Sequence, residues 1–277
     1  MIRVHILGCG SSGGVPRPGG PDGAGDWGAC DPTNPKNRRT RCSILVQKFA
    51  GSDISNPAAA TTVLIDTSPD MRSQLLNAKA THIDAVLYTH DHADQAHGID
   101  DLRIFAISQR RQIATYIDKG TAGELTRRFS YCFEQAPGSI YPAILKRIEM
   151  PACGEWFTVD GPGGEIPIVA FLQDHGPVNS LGFRIGNVAY SSDVVGLPEE
   201  SFALLSGVDT WIVDALQYKA HGTHAHLDLA LEWIKRVAPR RAILTNMHVH
   251  MDYEEVKKRV PPGVEPAYDG MVLDRFD

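Results

Sequence analysis

With 277 residues, 43% hydrophobic and 22% charged, the chain can fill a full core, and its composition is ordinary for a soluble globular protein. A net charge of −6 gives it no general attraction to nucleic acid or anionic membrane, and no apolar run approaches the length of a membrane span. Five scattered cysteines, Cys9, Cys30, Cys42, Cys132 and Cys153, argue for reduced thiols in a cytoplasmic protein and against a disulfide framework.

Met1 to Leu7 reads as a first strand, too interrupted for a signal peptide. Gly8-Cys9-Gly10-Ser11-Ser12-Gly13-Gly14-Val15-Pro16 then opens a Gly/Pro-rich loop that extends to about residue 42. A glycine-rich loop after a strand invites a phosphate-cradle reading. A dinucleotide fingerprint is excluded, because no helix pattern follows. Loops this long usually serve function, so this one is expected on the substrate side, with structural filler the alternative. Asn37-Arg38-Arg39-Thr40-Arg41 is the one concentrated basic run. Arg38, Arg39 and Arg41 read either as a solvated strand entry or as an anion-recognition patch, since guanidinium forks suit phosphate.

Ser43-Ile44-Leu45-Val46-Gln47 is a strand, and Gly51 to Ala60 a small polar hairpin loop. Thr62 to Asp66 is a strand ending in a carboxylate, followed by Ser68 as a helix cap with Pro69 at the first helical position. Ala85-Val86-Leu87-Tyr88 is a buried strand, and apolar spacing predicts a helix over about 98–107. A strand near 114–117 and a helix from Thr121 follow, while residues 130–155 read as an irregular insertion, a hairpin or a lid. Strands are expected at 156–159, 166–172, 180–185, 188–191, 210–214 and 241–245, with helices over 227–237 and from Asp252. No repeat of short period is present. Tyr88, Trp211 and Trp233 read as core; His5 and His82 read as structural.

The chemistry lies in Thr89-His90-Asp91-His92-Ala93-Asp94-Gln95-Ala96-His97-Gly98. Residues at i and i+2 of a turning segment point the same way, so His90 and His92 can approach one ion together, with Asp94 beside them. Nine of the eleven histidines fall in four groups: 90/92/97, 175, 221/224/226 and 248/250. Each group follows a predicted strand or enters a helix, at element ends where open α/β sheets place ligand sites. Histidines and aspartates on one sheet edge make a nitrogen and oxygen metal pocket. No cysteine pair has structural-zinc spacing, so the expected metal is catalytic, with an open position for water.

The succession Asp66, Thr89-His90-Asp91-His92-Ala93-Asp94, His175, Ser192-Asp193 and Leu244-Thr245-Asn246-Met247-His248 resembles the metallo-β-lactamase superfamily over nearly the whole chain. Leu7 to Pro16 and Gly222-Thr223-His224-Ala225-His226-Leu227 look like its branch of PhnP-type phosphoribosyl cyclic phosphate phosphodiesterases and, more distantly, tRNase Z. The resemblance implies one hydrolase domain over 1–277 with the α/β four-layer αββα sandwich. It further implies a pair of divalent ions, Mn2+ or Zn2+, and hydrolysis of a phosphodiester. The family usually carries histidine where this chain has Gln95, which weakens the second ion's site unless another residue such as His97 substitutes. Only Cys30 remains where PhnP-type proteins carry extra cysteines for a structural zinc, so that zinc site is expected to be absent.

On that alignment His90, His92 and His175 hold the first ion, Asp94 and His248 the second, and Asp193 bridges, with Asp94 also counted as catalytic. His224 aligns with the branch's loop histidine and is the expected general acid; His221 and His226 are alternatives and substrate-side residues. Asp66 orients a ligating histidine, and His250 replaces His248 if the loop register differs. The expected substrate is a small phosphorylated molecule such as a nucleotide, with no membrane or nucleic-acid partner; a homodimer is what the resemblance implies. Thioester or lactone hydrolysis, and a phosphate-binding protein that has lost turnover through Gln95, stand as alternatives.

Overall fold

A computed structural model describes residues 1–51 and 54–276. Two residues of the expected hairpin loop, 52 and 53, lie outside the described residues. In chain order the strands are β1 (Ile2–Gly8), β2 (Ser43–Lys48), β3 (Thr61–Ile65), β4 (Ala85–Leu87), β5 (Ile113–Ile117), β6 (Leu145–Glu149) and β7 (Trp156–Val159), then β8 (Ile166–His175), β9 (Val178–Ile185), β10 (Val188–Ser191), β11 (Thr210–Asp214), β12 (Arg241–Thr245), β13 (Val264–Pro266) and β14 (Met271–Phe276). The helices are α1 (Met71–Asn77), α2 (Ala93–Ala96), α3 (Arg103–Gln109), α4 (Lys119–Arg128), α5 (Ser130–Phe133), α6 (Glu199–Leu205), α7 (Leu227–Val237) and α8 (Tyr253–Arg259).

The strands form two seven-stranded sheets, ordered β14-β1-β2-β3-β4-β5-β6 and β13-β12-β11-β10-β9-β8-β7. Both follow one plan. In the first, β14 through β3 pair antiparallel and β3 through β6 parallel. In the second, β7 through β10 pair antiparallel and β10 through β13 parallel. Strand alternation divides the core. Val63, Ile65, Ala85 and Leu87 face the second sheet, meeting Ile168, Phe183, Tyr190 and Ile212. Leu64, Val86 and Tyr88 face the other way, onto Met71, Leu75, Ile99 and Leu102. Helix α7 covers the second sheet through Ala230, Trp233 and Ile234. This is the αββα sandwich that the motif order implied.

Several expected elements change. The helix predicted over 98–107 begins earlier and in pieces: α2 forms within the histidine motif, a 3₁₀ turn covers Ile99–Leu102, and α3 follows. Residues 130–155 are not a lid or hairpin, since they contain α5 and β6, which pairs parallel with β5. The strands β13 and β14 are not among those expected: β13 has three residues beside Pro261-Pro262-Gly263, β14 follows the Asp269-Gly270 turn, and both are fixed by the neighbours they pair with. Ser68 does not cap α1; its hydroxyl donates to Gln74 Oε1 (2.9 Å) and accepts from Asp70 N.

His82 is held structurally by the Ala60 carbonyl (2.9 Å) and the Asp84 carboxylate (3.2 Å). The Asp84 hydrogen bond raises the imidazole pKa against the opposing effect of burial. Protonated His82 therefore adds stability that is complete below the ordinary value of 6.5 and is lost as pH rises through the raised folded value. Urea unfolding of His82→Gln should show the larger deficit at pH 5.5 and converge on the native chain by pH 9; an equal deficit at both would remove the ion pair from the account.

Candidate metal centre

The functional side chains leave the same edge of both sheets. Asp66 follows β3, Asp193 follows β10 and Asn246 follows β12, with φ of 63°, 53° and 61°. Asp and Asn tolerate this left-handed backbone better than most residues, and each turns its side chain off a strand end into the seam between the sheets. Asp214 ends β11 and His175 ends β8. Beyond β4 the chain passes Tyr88 and Thr89 to His90, and Leu181 N of β9 donates to Thr89 O (2.9 Å), joining the two sheets at the motif.

His90, His92 and His175 present ligand nitrogens within 4.8 Å of one another. Thr89 fixes His90: its hydroxyl donates to Asp66 Oδ2 (2.9 Å) and lies 2.9 Å from His90 Nδ1, while Thr89 N donates to Asp66 Oδ1. That leaves His90 Nε2 buried with no hydrogen-bond partner. His175 Nδ1 donates to Thr223 O (2.7 Å), which turns Nε2 toward Asp193 Oδ1 at 4.0 Å. A second group, His175, Asp193 and His224, also lies within 4.8 Å. His224 Nδ1 donates to the fully buried Asp214 Oδ2 (2.8 Å), and the Asn246 amide nitrogen lies 3.2 Å from His224 Nδ1. The Gln95 amide donates to Asp193 Oδ2 (2.9 Å).

Electrostatics fit a divalent cation. Burial, with the charges of His92, His175 and His224, drives the His90 pKa well down, and burial lowers His175. Both imidazoles are thus neutral, the form that ligates. Burial pushes Asp193 up to about 8 despite the neighbouring His224, with Asp94 and Asp214 adding to the rise, and drives Asp66 well above the carboxylate range. Crowded carboxylates beside neutral imidazoles are what a cation would relieve. Burial opposes protonation of His224, but Asp214, Asp193 and Asp94 outweigh it and raise its pKa to about 9. An unpartnered buried nitrogen, two further imidazoles and a carboxylate form a donor set suited to such an ion.

Other expected residues fall elsewhere. Asp94 is half-buried in the first turn of α2, and its charge acts on Asp193, His224 and Asp66. His97 is exposed and packs edge-on against Phe129 (5.5 Å), so it does not stand in for Gln95. His248 joins neither histidine group. Because β12 ends at Thr245, Asn246 is the residue turned into the seam, and His248 lies beyond it on Arg17 Nη2, with His250 at 4.6 Å. Burial and the Arg17 charge lower the His248 pKa to about 4. His250 is exposed, as is His221, whose ring lies 5.3 Å from that of His224. His226 is half-buried at the N-cap of α7.

The arginine run does not form one patch. Arg39 is buried, with its guanidinium on Asn37 Oδ1 (3.3 Å) and Cys30 Sγ (3.8 Å). Arg41 pairs with Asp70 (3.2 Å), and exposed Arg38 lies over Trp27 at 5.0 Å. Sequence reasoning missed Asp214, Asn246 and Arg17. For Asp214 a signal existed: like Asp66, it is a carboxylate closing an apolar strand. Arg17 had none beyond its place in the glycine-rich loop.

The fold and this donor set define a metallo-β-lactamase-type protein. The profile of the beta-lactamase superfamily domain matches residues 61–248, and the chain belongs to that superfamily. Among solved structures it is similar to a diphosphatase from the PhnP family (TM-score 0.84, 29% identity, 99% of this chain and 98% of that one). It also resembles, in fold, Zn2+-bound PqqB from Methylobacterium extorquens (0.72, 19%, covering 99% and 100%) and the short form of human tRNase Z (0.64, 17%, covering 98% and 98%). An octanoyltransferase from Porphyromonas gingivalis is 30% identical over 98% of the chain, which spans 51% of that relative's length.

Groups that orient a ligating imidazole typically matter about 10–100-fold for metal affinity. Thr89→Val should weaken divalent-ion binding by about that range in calorimetric titration while leaving the circular dichroism spectrum intact. Unchanged affinity would show that the Asp66-Thr89-His90 chain does not position the ligand.

Proposed function

We propose that this protein is a metal-dependent phosphodiesterase acting on a small anionic phosphodiester, with nucleotide-like molecules among the candidates. The observation that carries the reading is the convergence of His90, His92, His175 and Asp193 beside the His224–Asp214 pair. His90, His92 and His175 would hold a divalent ion, with Asp193 completing the set. When bound, such an ion lowers the pKa of water toward about 7 and polarises a phosphoryl oxygen. Asp214 fixes the His224 ring by Nδ1, so Nε2 is the atom that delivers a proton to the leaving oxygen. Arg17, reaching His248 from the glycine-rich loop, brings positive charge near this rim. The PhnP-family neighbour supports phosphoester chemistry.

A net charge of −6 speaks against a nucleic-acid substrate. Among the described residues no helix is long and apolar enough to cross a membrane. A cytoplasmic location and a homodimer belong to the same proposal.

Metal-loaded protein should hydrolyse bis-p-nitrophenyl phosphate and a cyclic ribose phosphodiester. His92→Ala should abolish both activities with folding retained by circular dichroism. His224→Gln should cost about 10²–10⁴-fold on the ribose substrate, whose alkoxide needs a proton, and much less on the nitrophenyl diester. Stoichiometric metal without turnover of any phosphodiester would leave a binding protein, and selective turnover of thioesters or lactones would reassign the chemistry.

A further inference from the structure

We infer that this centre holds one divalent ion rather than two, and that the amides of Gln95 and Asn246 occupy the ground a second ion would need. The inference rests on the metal-centre reading above but not on its substrate. The two candidate ligand groups share His175. A neutral imidazole has one lone pair to give, and with His175 Nδ1 committed to Thr223 O, only Nε2 remains. His175 can therefore serve one ion. The set that includes buried His90, whose Nε2 has no other partner, is the stronger claimant.

What remains on the other side is poor in donors. His224 has Nδ1 tied to Asp214, and its Nε2 is the atom given above to proton delivery. Asp193 could bridge two ions through its two oxygens, yet Oδ2 accepts a hydrogen bond from the Gln95 amide at 2.9 Å. The amide orientation follows from charge, since the opposite one would set its oxygen against the carboxylate. A cation at Oδ2 would meet that N–H. Asn246, turned into the same seam from the end of β12, adds a second neutral amide, and His248 is carried off to Arg17. Among the described residues the carboxylates left beside Asp193 are Asp94 and Asp214, the latter already tied through Oδ2 to His224 and Val194 N, and neutral amides are weak ligands beside imidazole and carboxylate. Gln95 thus holds Asp193 to a single ligating oxygen, Oδ1.

The test is a metal count independent of turnover. Metal-free protein titrated with Co2+ should saturate its visible absorption at about one equivalent per chain. Protein loaded with Mn2+ or Zn2+ and desalted should retain about one ion by elemental analysis. Two ions retained, or two equivalents bound with similar affinity, would overturn the inference. The double variant Gln95→His, Asn246→His should take up a second equivalent; a folded variant that stays at one would overturn the part given to the amides. If that variant does not fold, the count on the unaltered chain decides. Two ions with hydrolysis sinks this inference alone, whereas one ion without phosphodiester hydrolysis sinks the proposed function alone.

Discussion

Asp66, Asp193 and Asp214 lie buried at the strand ends where the two sheets meet, and the arrangement of the seam follows from that burial. An ionised carboxylate taken out of water costs several kcal/mol or more unless donors or a cation compensate it. Each aspartate is met in its own way. Asp66 accepts from the Thr89 backbone and hydroxyl, Asp214 from the His224 ring and Val194 N, and Asp193 from the Gln95 amide. These donors cover only part of the charge. The remainder shows in the raised pKa of Asp66 and Asp193, for which burial is the leading cause.

Holding these strand ends together requires close backbone approach. Gly98 donates its N–H to Thr67 O (2.8 Å), and a Cβ there would be driven into the Ser68 carbonyl oxygen, so the motif can dock on the β3 loop only through glycine. Gly10 lies between Arg41 and Met247, bridging to both, which ties the glycine-rich loop across the ends of the two sheets. Asp269, in the turn before β14, accepts from Cys9 N, Thr40 N and Thr40 Oγ1 and anchors the same loop from below. The loop is thus part of the frame of the site.

The two amides and the His224–Asp214 pair give this seam a division of labour. One side gathers neutral imidazoles around a single carboxylate oxygen, and the other keeps a proton on a ring fixed by a buried acid. Gln95 is the hinge between them. Its side chain touches Asp193, while its backbone carbonyl accepts from Thr67 N (2.8 Å) in the loop that follows Asp66.

Taken alone, the sequence determined most of the strands and the His90 and His92 pair through local signals, apolar runs of strand length and an i, i+2 spacing; the αββα class and the place of His175 and Asp193 beside that pair are what the resemblance of its motif order implied. Tertiary structure decided what depends on register and turn geometry. One left-handed residue after β12 turns Asn246 into the seam and carries His248 to Arg17, a distinction that no spacing along the chain encodes. Burial of Arg39 against Cys30, and the edge pairing of β6, β13 and β14, likewise arise from contacts between distant segments. Side-chain direction at a strand end is set by the backbone angle there and by the neighbouring sheet, and both exist only once the chain is folded.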